Sequence, residues 1–453
     1  MRNAKKIDMT QGSIYKLALL FALPLCVGNL LQQLYNTVDT LIIGNFCSSA
    51  SLAAVATSAQ PVELLLHLFV GTSTGFTILI SQSMGQGKTD NLIKVARTAT
   101  SFLYLVSIPL SIIGLFLGPF ILRWMQVPED AFDYSVSYLR IIFLATLGNL
   151  GYNTNAGILR GVGDSRSSLI FLLVSCVVNI VLDLLFVAVF HMDVTGAALA
   201  TAIAMYCSWI SSIIYIRKNY PELQFSVLPR TMDKQVVRDI VKIGLPLGLN
   251  QSLYSIGHLL MQSLINAQGS AFMAACAIGG KLTGIANVTI SSLSNAATTF
   301  SGQNYGAKNY VRLKRGGLRI PLFSAAITCT FGILMCLSCK PLLGLFTNDP
   351  QVLEMAITYS HIIMPLTWTY ALFNGIIYYA NGMNVVKYPT IVNLVMLFAV
   401  RIPSAYMIDR FIGGQYIMAA LPISFIFAMI CMLLFFFSKP WKNVCKLAAQ
   451  QST

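Results

Sequence analysis

The stretch IYKLALLFALPLCVGNLLQQLYNTVDTLIIGN, residues 14 to 45, decides the class of protein to which this chain belongs. It is apolar over more than the roughly 20 residues that an α-helix needs to cross the hydrocarbon core of a bilayer. Its second half nevertheless carries an acid, Asp39. Because a charged side chain is unfavourable inside a membrane, the stretch predicts a transmembrane helix with a functional carboxylate.

Comparable apolar runs recur along all 453 residues. Hydrophobic residues make up 56% of the chain and charged residues only 10%, against about 25% charged residues in soluble proteins. We therefore predict an all-α polytopic membrane protein with twelve transmembrane helices. The expected spans are residues 14–45, 52–83, 95–122, 132–159, 167–190, 194–216, 238–265, 272–300, 317–343, 352–380, 388–408 and 414–437.

The distribution of basic residues predicts the orientation. The 30 Lys and Arg exceed the 16 Asp and Glu, an excess that in a soluble protein would suggest nucleic acid. With the N-terminus inside, 24 basic residues fall in cytoplasmic segments and only four outside, while Lys281 and Arg401 lie within apolar runs. Because cytoplasmic loops of membrane proteins collect Lys and Arg, we expect both termini in the cytoplasm, a cell-membrane location and no nucleic-acid partner.

The chain repeats itself after about 221 residues. Leu23-Pro24-Leu25 meets Leu245-Pro246-Leu247, and Gln82 to Gly85 meets Gln303 to Gly306. Each half has six predicted helices, so the halves enter the membrane from the same side and form parallel lobes related by pseudo-two-fold symmetry. We predict an N-lobe at 1–218, a cytoplasmic linker at 219–237 and a C-lobe at 238–453. Rocking of such lobes around a central cavity is typical of secondary transporters.

Motifs for catalysis, nucleotides or metals are incomplete. Gly87-Lys88-Thr89 resembles the end of a phosphate-binding loop, but Gln82 stands where that loop needs a glycine. Cys336 and Cys339 form a CxxC without a second pair or a histidine cluster. We therefore expect neither an enzyme nor a cofactor.

Two helix faces concentrate polar groups within apolar spans. Gln32, Tyr35 and Asp39 share one face of helix 1, and Asn179 and Asp183 stack four residues apart on helix 5. Two carboxylates and an amide in a poorly hydrated pocket can hold a sodium ion through oxygen ligands or share a proton. The alternative is that Asn179 and Asp183 only bond a neighbouring helix.

The roles of the other ionisable residues within the spans, and of a proline in helix 1, are less sharply predicted. Glu63 and His67 could form a relay or a packing pair, and His258 is expected to be structural. Lys281 and Arg401 could supply counter-charge, bond backbone carbonyls or contact a substrate. Pro24 lies fifteen residues before Asp39 in helix 1, where it could be a bend that follows the state of the carboxylate or a static kink.

Several motifs, in this order and spacing, resemble the prokaryotic MATE (multidrug and toxic compound extrusion) family over essentially the whole chain. They are Leu23-Pro24-Leu25 leading to Val38-Asp39-Thr40 and Gly44, Leu52 to Val55, Leu159 to Asp164, Asn179 to Asp183, Gly196 to Thr201, and a loop at Gln303 to Ala307. The resemblance implies secondary active export of small organic, mainly cationic, compounds in exchange for sodium ions or protons by alternating access. The protein is expected to act as a monomer in membrane lipid.

The resemblance also assigns residues. It implies a cation-coupling site, with sodium as a possible ion, at Asp39, Asn179, Asp183 and Thr201, and substrate-binding or cavity residues at Gln32, Tyr35, Tyr138 and Asn153. Tyr254 stands where sodium-coupled members carry an acid on helix 7, so coupling is expected in the N-lobe alone. Two alternatives stay open: a flippase of lipid-linked precursors or polysaccharides from the same superfamily, and a channel or receptor.

Overall fold

The chain folds almost entirely into helices. The computed structural model describes residues 6–125 and 127–452, except for the side chains of Asp130, Ser452 and a set of positions between 49 and 68. Within these ranges helices are joined by short turns, and no strand occurs. Helices are expected here because lipid offers no hydrogen bonds, so that backbone groups must be satisfied within each segment. The predicted all-α fold is confirmed.

The described residues of the first half form seven α-helices. One predicted span is broken at Ala145 into two helices, and another continues past Asp183 as a π-helix, Leu184–Val189. The helices are α1 (Ile14–Phe46), α2 (Ser49–Gly85), α3 (Thr89–Trp124), α4 (Glu129–Leu144), α5 (Thr146–Gly161), α6 (Ser165–Asp183) and α7 (Asp193–Asn219).

The second half repeats this pattern with further interruptions. A 3-10 turn, Met364–Leu366, and a second π-helix, Val395–Arg401, divide two of its spans. The helices are α8 (Lys234–Ala267), α9 (Ser270–Gly306), α10 (Tyr310–Leu337), α11 (Cys339–Leu343), α12 (Pro350–Ile363), α13 (Thr367–Gly382), α14 (Lys387–Leu394), α15 (Ile402–Phe411), α16 (Ala420–Leu433) and α17 (Lys439–Ser452).

These helices account for the predicted spans. Within the described ranges, eight segments are long and apolar enough, by length and composition, to cross a membrane. The other predicted spans correspond to α2, α4 with α5, α8, and α12 with α13, which gives the twelve helices in two lobes of the predicted fold class. Helix α17 was not predicted, because its sequence is too polar to register as an apolar run.

The packing divides the chain into two compact units. The first contains Val27–Leu249 and the chain up to Ile7, and the second contains Asp8–Cys26 and the chain from Asn250 onward. The divisions fall inside α1 and α8, a few residues after Pro24 and Pro246 respectively. The predicted linker at 219–237 overlaps the last residue of α7 and the first turn of α8. The predicted lobe boundaries at 218 and 238 stay a prediction.

The motif at Gln303 to Ala307 was expected to be a loop, and this is wrong, because α9 continues to Gly306. Gln303 and Asn304 are buried in its last turn. The Met9 amide donates to the side-chain oxygen of Gln303 at 2.9 Å, and the Asn304 side chain donates to the Met9 carbonyl at 3.0 Å. The polar residues of the motif therefore satisfy backbone groups of the N-terminal segment.

The motif that ends at Asp164 forms a corner in the first unit. Gly163 has φ +94°, and a Cβ there would lie 2.3 Å from the Ile7 carbonyl oxygen, so only glycine fits. The buried Asp164 carboxylate caps α6 and accepts hydrogen bonds from the hydroxyls of Tyr215 at 3.2 Å and Tyr220 at 2.7 Å. Burial and the adjacent Asp164 raise the pKa of Tyr220, so its hydroxyl stays a donor.

Candidate cation site

Three helices of the first unit carry the residues of the predicted cation site. Asp39 lies late in α1, Asn179 and Asp183 occupy the last two turns of α6, and Thr201 lies in α7. Asp183 is completely buried, Asn179 is 1% exposed and Asp39 is half-buried. The four-residue spacing of Asn179 and Asp183 places both on the face of α6 that is directed inward, because their neighbours Val177, Val181 and Leu184 are exposed.

The structure brings these side chains together. The carboxyl groups of Asp39 and Asp183 are close enough to interact with each other, and Asp183 also interacts with Asn179. The Asn179 side-chain nitrogen donates to the Thr201 hydroxyl at 3.3 Å. This bond directs the amide nitrogen to α7 and leaves the amide oxygen free for another partner.

The site has more hydrogen-bond acceptors than donors. Four oxygens are buried without a hydrogen-bond partner among the described residues, namely both carboxylate oxygens of Asp183, Oδ1 of Asp39 and Oδ1 of Asn179. An ionised carboxylate has no proton to donate, so two ionised acids cannot satisfy each other. Leaving buried acceptors unpaired is unfavourable, and repulsion between the two anions adds to it. A proton shared between the acids, or a cation held by these oxygens, would remove both penalties.

The helix geometry at Asp183 is irregular. Directly after this residue α6 changes from α to π geometry over Leu184–Val189. Short π segments inside α-helices are rare and occur frequently at functional sites. Sequence analysis missed this feature, because the segment LLFVAV contains neither glycine nor proline.

The remaining predicted site residues are distributed differently. Tyr35 interacts with Asp39, Asp183 and Cys176, so it belongs to the cluster, whereas Gln32 is exposed on α1. Tyr138 packs against the apolar group of Val62, Leu122, Leu139, Ile142 and Phe143.

Asn153 bonds within α5 and to α2. Its side-chain nitrogen donates to the carbonyl of Asn149 at 2.9 Å, and its own carbonyl accepts a hydrogen bond from Ser73 at 2.6 Å. It lines a space of about 10 Å³, which is room for one water molecule. The substrate-binding roles of Gln32, Tyr138 and Asn153 stay predictions.

Sequence analysis also missed a neighbour of the acids. Cys176, which is 7% exposed, lies one turn before Asn179 on α6 and interacts with Tyr35. Its positions three and seven residues before Asn179 and Asp183 are the spacing of one helix face, so the periodicity could have identified it.

The other ionisable candidates differ in their exposure and contacts. Glu63 and His67 lie outside the described side chains, and Lys281 is exposed. Arg401 is 4% exposed and donates to the hydroxyls of Tyr254 at 3.2 Å and Ser424 at 3.0 Å. Bonding to backbone carbonyls was one of the alternatives for Arg401, and its hydrogen bonds within the described residues go to side chains instead.

In the part of the chain that the structure describes, no group of three or more His, Cys, Asp or Glu side chains is placed so that it could hold a metal ion. The ten cysteines, including Cys336 and Cys339, are free. The oxygen groups of the Asp39 cluster suit a hard cation such as sodium, which would be cargo of the protein and not a resident cofactor.

The long apolar helices define a multi-pass membrane protein, and two acids and an amide gather within its first unit. The MatE family model matches residues 24–185 and 246–407, two segments that begin at the equivalent prolines of α1 and α8. The chain therefore belongs to the MATE family, a family of transporters and not of enzymes.

Curated relatives and solved structures agree with this assignment. The chain is 27% identical to "Probable multidrug resistance protein YpnP" of Bacillus subtilis, with 97% of this chain and 98% of that protein covered. It is 26% identical to "Multidrug export protein MepA" of Staphylococcus haemolyticus, with 84% of each covered. A solved outward-facing MATE family transporter of the MOP superfamily superposes with a TM-score of 0.88 at 20% identity, covering 99% of both chains.

Proposed function

We propose that the protein is a secondary active multidrug efflux antiporter. It exports small organic, mainly cationic, compounds in exchange for sodium ions or protons by alternating access, as a monomer in the cell membrane. Family membership and the names of the relatives support the multidrug activity. The observation that carries ion coupling is the pair Asp39 and Asp183, three of whose four carboxylate oxygens are buried without a hydrogen-bond partner among the described residues.

The buried pair couples transport because it exists in two charge states. When a proton or sodium ion enters, the repulsion between Asp39 and Asp183 is relieved and the surrounding helices can close on the site. When the cation leaves, two anions remain in a poorly hydrated pocket, which attracts the next cation or a cationic substrate. Each charge state favours a different arrangement of α1, α6 and α7, and alternating access follows from this difference.

Pro24 is the position at which α1 can bend when the charge of Asp39 changes. It lies within the continuous helix Ile14–Phe46, and a proline removes one backbone hydrogen bond and weakens the helix locally. Asp39 is on the same helix, so a change in its charge can bias a bend at Pro24.

Flux measurements with cationic and anionic compounds test the proposal. A site with two acids and the ring of Tyr35 attracts flat cations by Coulomb attraction and by cation–π interaction, the latter about 0.5 to 2 kcal/mol. We expect proteoliposomes to export ethidium when a sodium or a proton gradient is imposed, and the two gradients applied separately identify the coupling ion. Export should stop when the gradient is collapsed, which distinguishes an antiporter from a channel.

Anionic compounds provide the comparison. If expressing cells gain resistance only to anionic compounds while ethidium is unaffected, the proposed substrate class is wrong. Flipping of a fluorescent lipid-linked precursor in the same proteoliposomes, without ethidium flux, would identify a flippase instead.

The proposed orientation has its own test. With both termini inside, Lys234 at the start of α8 is cytoplasmic and Lys340 in α11 is external, and both side chains are exposed. In a cysteine-free background, an impermeant maleimide applied to intact cells should label Lys340→Cys and leave Lys234→Cys unlabelled until the cells are permeabilised. The reverse pattern would invert the topology.

A further inference from the structure

The second unit contains a cavity of about 360 Å³ that is separate from the acidic cluster. It lies among α8, α9, α12, α13 and α16, and its size falls within the range of small-molecule sites. Its lining is mainly aromatic and apolar, with contributions from Tyr254, Tyr359, Tyr370 and Phe425. His258 and Gln262, which are exposed, lie at its rim.

A buried arginine supplies the charge of this cavity. The Arg401 guanidinium donates to the hydroxyls of Ser424 and Tyr254 and to the Met396 sulfur, at 3.0, 3.2 and 3.4 Å. It also lies 5.5 and 5.2 Å from the ring centres of Tyr254 and Phe425. All of these partners are neutral. A guanidinium has five N–H groups, so two remain beyond these three bonds.

The charge of Arg401 is not neutralised by an acid within the described side chains. The ion pairs found there are Lys6–Glu222 and Lys94–Asp233, neither of which involves Arg401. The residues that line the cavity include no Asp or Glu, and His258, the other basic group there, is close enough to interact with Arg401. Buried charges in proteins are normally paired, so this arrangement favours an incoming anion.

The helix geometry is also irregular at Arg401. Arg401 ends the π-helix Val395–Arg401, just as the π-helix of the first unit begins after Asp183. In each unit the buried charge of the span therefore lies at a π segment, a geometry that is frequent at functional sites. The two charges are opposite in sign.

We propose that the cavity binds an organic anion, namely an aromatic carboxylate. Its two oxygens accept hydrogen bonds from the free N–H groups of Arg401, the paired geometry that guanidinium and carboxylate groups favour. Its ring lies among Tyr254, Tyr370 and Phe425. The site stands independently of the efflux proposal, because it concerns binding in the second unit and not the coupling ion.

A matched pair of ligands tests the site without any substitution. Calorimetry on the purified full chain in phosphatidylcholine nanodiscs compares 2-naphthoate with 2-naphthamide, which has a similar shape but no charge. We expect 2-naphthoate to bind about 10- to 100-fold more tightly, because a charge-assisted hydrogen bond in a buried site is worth that factor. Equal affinities for the two ligands would overturn the proposal.

Variants then locate the charge. Arg401→Met should lose the preference for 2-naphthoate, Arg401→Lys should keep part of it, and Arg410→Gln, which removes an exposed cation of the same span, should keep all of it. Thermal unfolding of each variant shows that it is folded, and the wild-type ligand comparison decides the matter if Arg401→Met is not. A preference that persists in a folded Arg401→Met would place the anion elsewhere.

Anionic lipid is the competing source of the negative group. Phosphatidylglycerol added to the nanodiscs should leave the affinity for 2-naphthoate nearly unchanged. If wild-type protein is stabilised by phosphatidylglycerol, Arg401→Met is not, and 2-naphthoate fails to bind, the cavity holds a lipid headgroup and the proposal of an aromatic carboxylate is wrong.

Discussion

Asp183→Asn is expected to abolish gradient-driven efflux while the protein still folds and inserts. Asparagine keeps the shape and a hydrogen-bonding oxygen, but it cannot ionise, so the cluster no longer changes charge when a proton or sodium ion arrives. Because Asp183 is completely buried and its two oxygens have no hydrogen-bond partner, the native side chain does little to hold the fold together. We expect coupled efflux to fall by at least about 10- to 100-fold, the loss that follows when even a side chain bonded to a metal ligand is changed.

Asp39→Asn should have nearly the same effect, because the two carboxyl groups act on the same cation. Substitutions within one functional unit are not additive, so the double variant should be little worse than either single one. Glu354→Gln is the matched control, since Glu354 is an exposed acid on α12, and it should keep wild-type efflux. Near wild-type, gradient-dependent efflux by Asp183→Asn would show that the ion is coupled elsewhere.

The sequence predicted those parts of the molecule that depend on local periodicity. The twelve spans follow from runs of apolar residues, and their bounds agree with the helices to within seven residues, the largest differences being at the starts of α3 and α10 and at the end of α9. The gathering of Asn179, Asp183 and Asp39 could be anticipated because a polar residue within an apolar span must face a partner or a cavity. Tyr35 lies in this cluster, as its spacing of four residues from Asp39 suggested. Gln32, seven residues before Asp39, is exposed on α1.

The features that escaped prediction depend on contacts between segments far apart in sequence. Arg401 was recognised as an ionisable residue within a span, but its partners Tyr254 and Ser424 come from α8 and α16. No spacing rule connects these three positions, so the cavity around Arg401 could not be predicted from the sequence alone. The two π-helices were equally hidden, because their sequences fit an α-helix.

One overlooked pattern was readable in the sequence. Gly71 and Gly75 form a GxxxG motif on α2, and Gly244 and Gly248 form a second one on α8. All four residues belong to the first unit, where the two motifs face each other in backbone contact. In membranes such small residues let helices approach closely, which strengthens van der Waals packing where the hydrophobic effect contributes little.

Gly71→Ala is therefore expected to destabilise the protein. A Cβ at this position would lie 2.1 Å from the Gly248 nitrogen, 2.4 Å from its Cα and 2.8 Å from the Gly244 carbonyl oxygen. These are backbone atoms, so the clash can be relieved only by separating the two helices, and overpacking of this kind typically costs about 1 to 3 kcal/mol. Thermal unfolding of the purified protein should show a lower midpoint, with less folded protein recovered from the membrane.

Gly44→Ala provides the comparison that isolates packing from helix propensity. Alanine favours a helix over glycine by about 1 kcal/mol, so the substitution alone should stabilise either helix slightly. A Cβ at Gly44, on α1, meets no atom of the described residues within 4 Å, and its variant should unfold at or slightly above the wild-type temperature. At Gly71 the clash must exceed that gain before the midpoint falls. Equal midpoints for the two variants would mean that α2 and α8 separate at no cost, and the facing GxxxG motifs would then not contribute to stability.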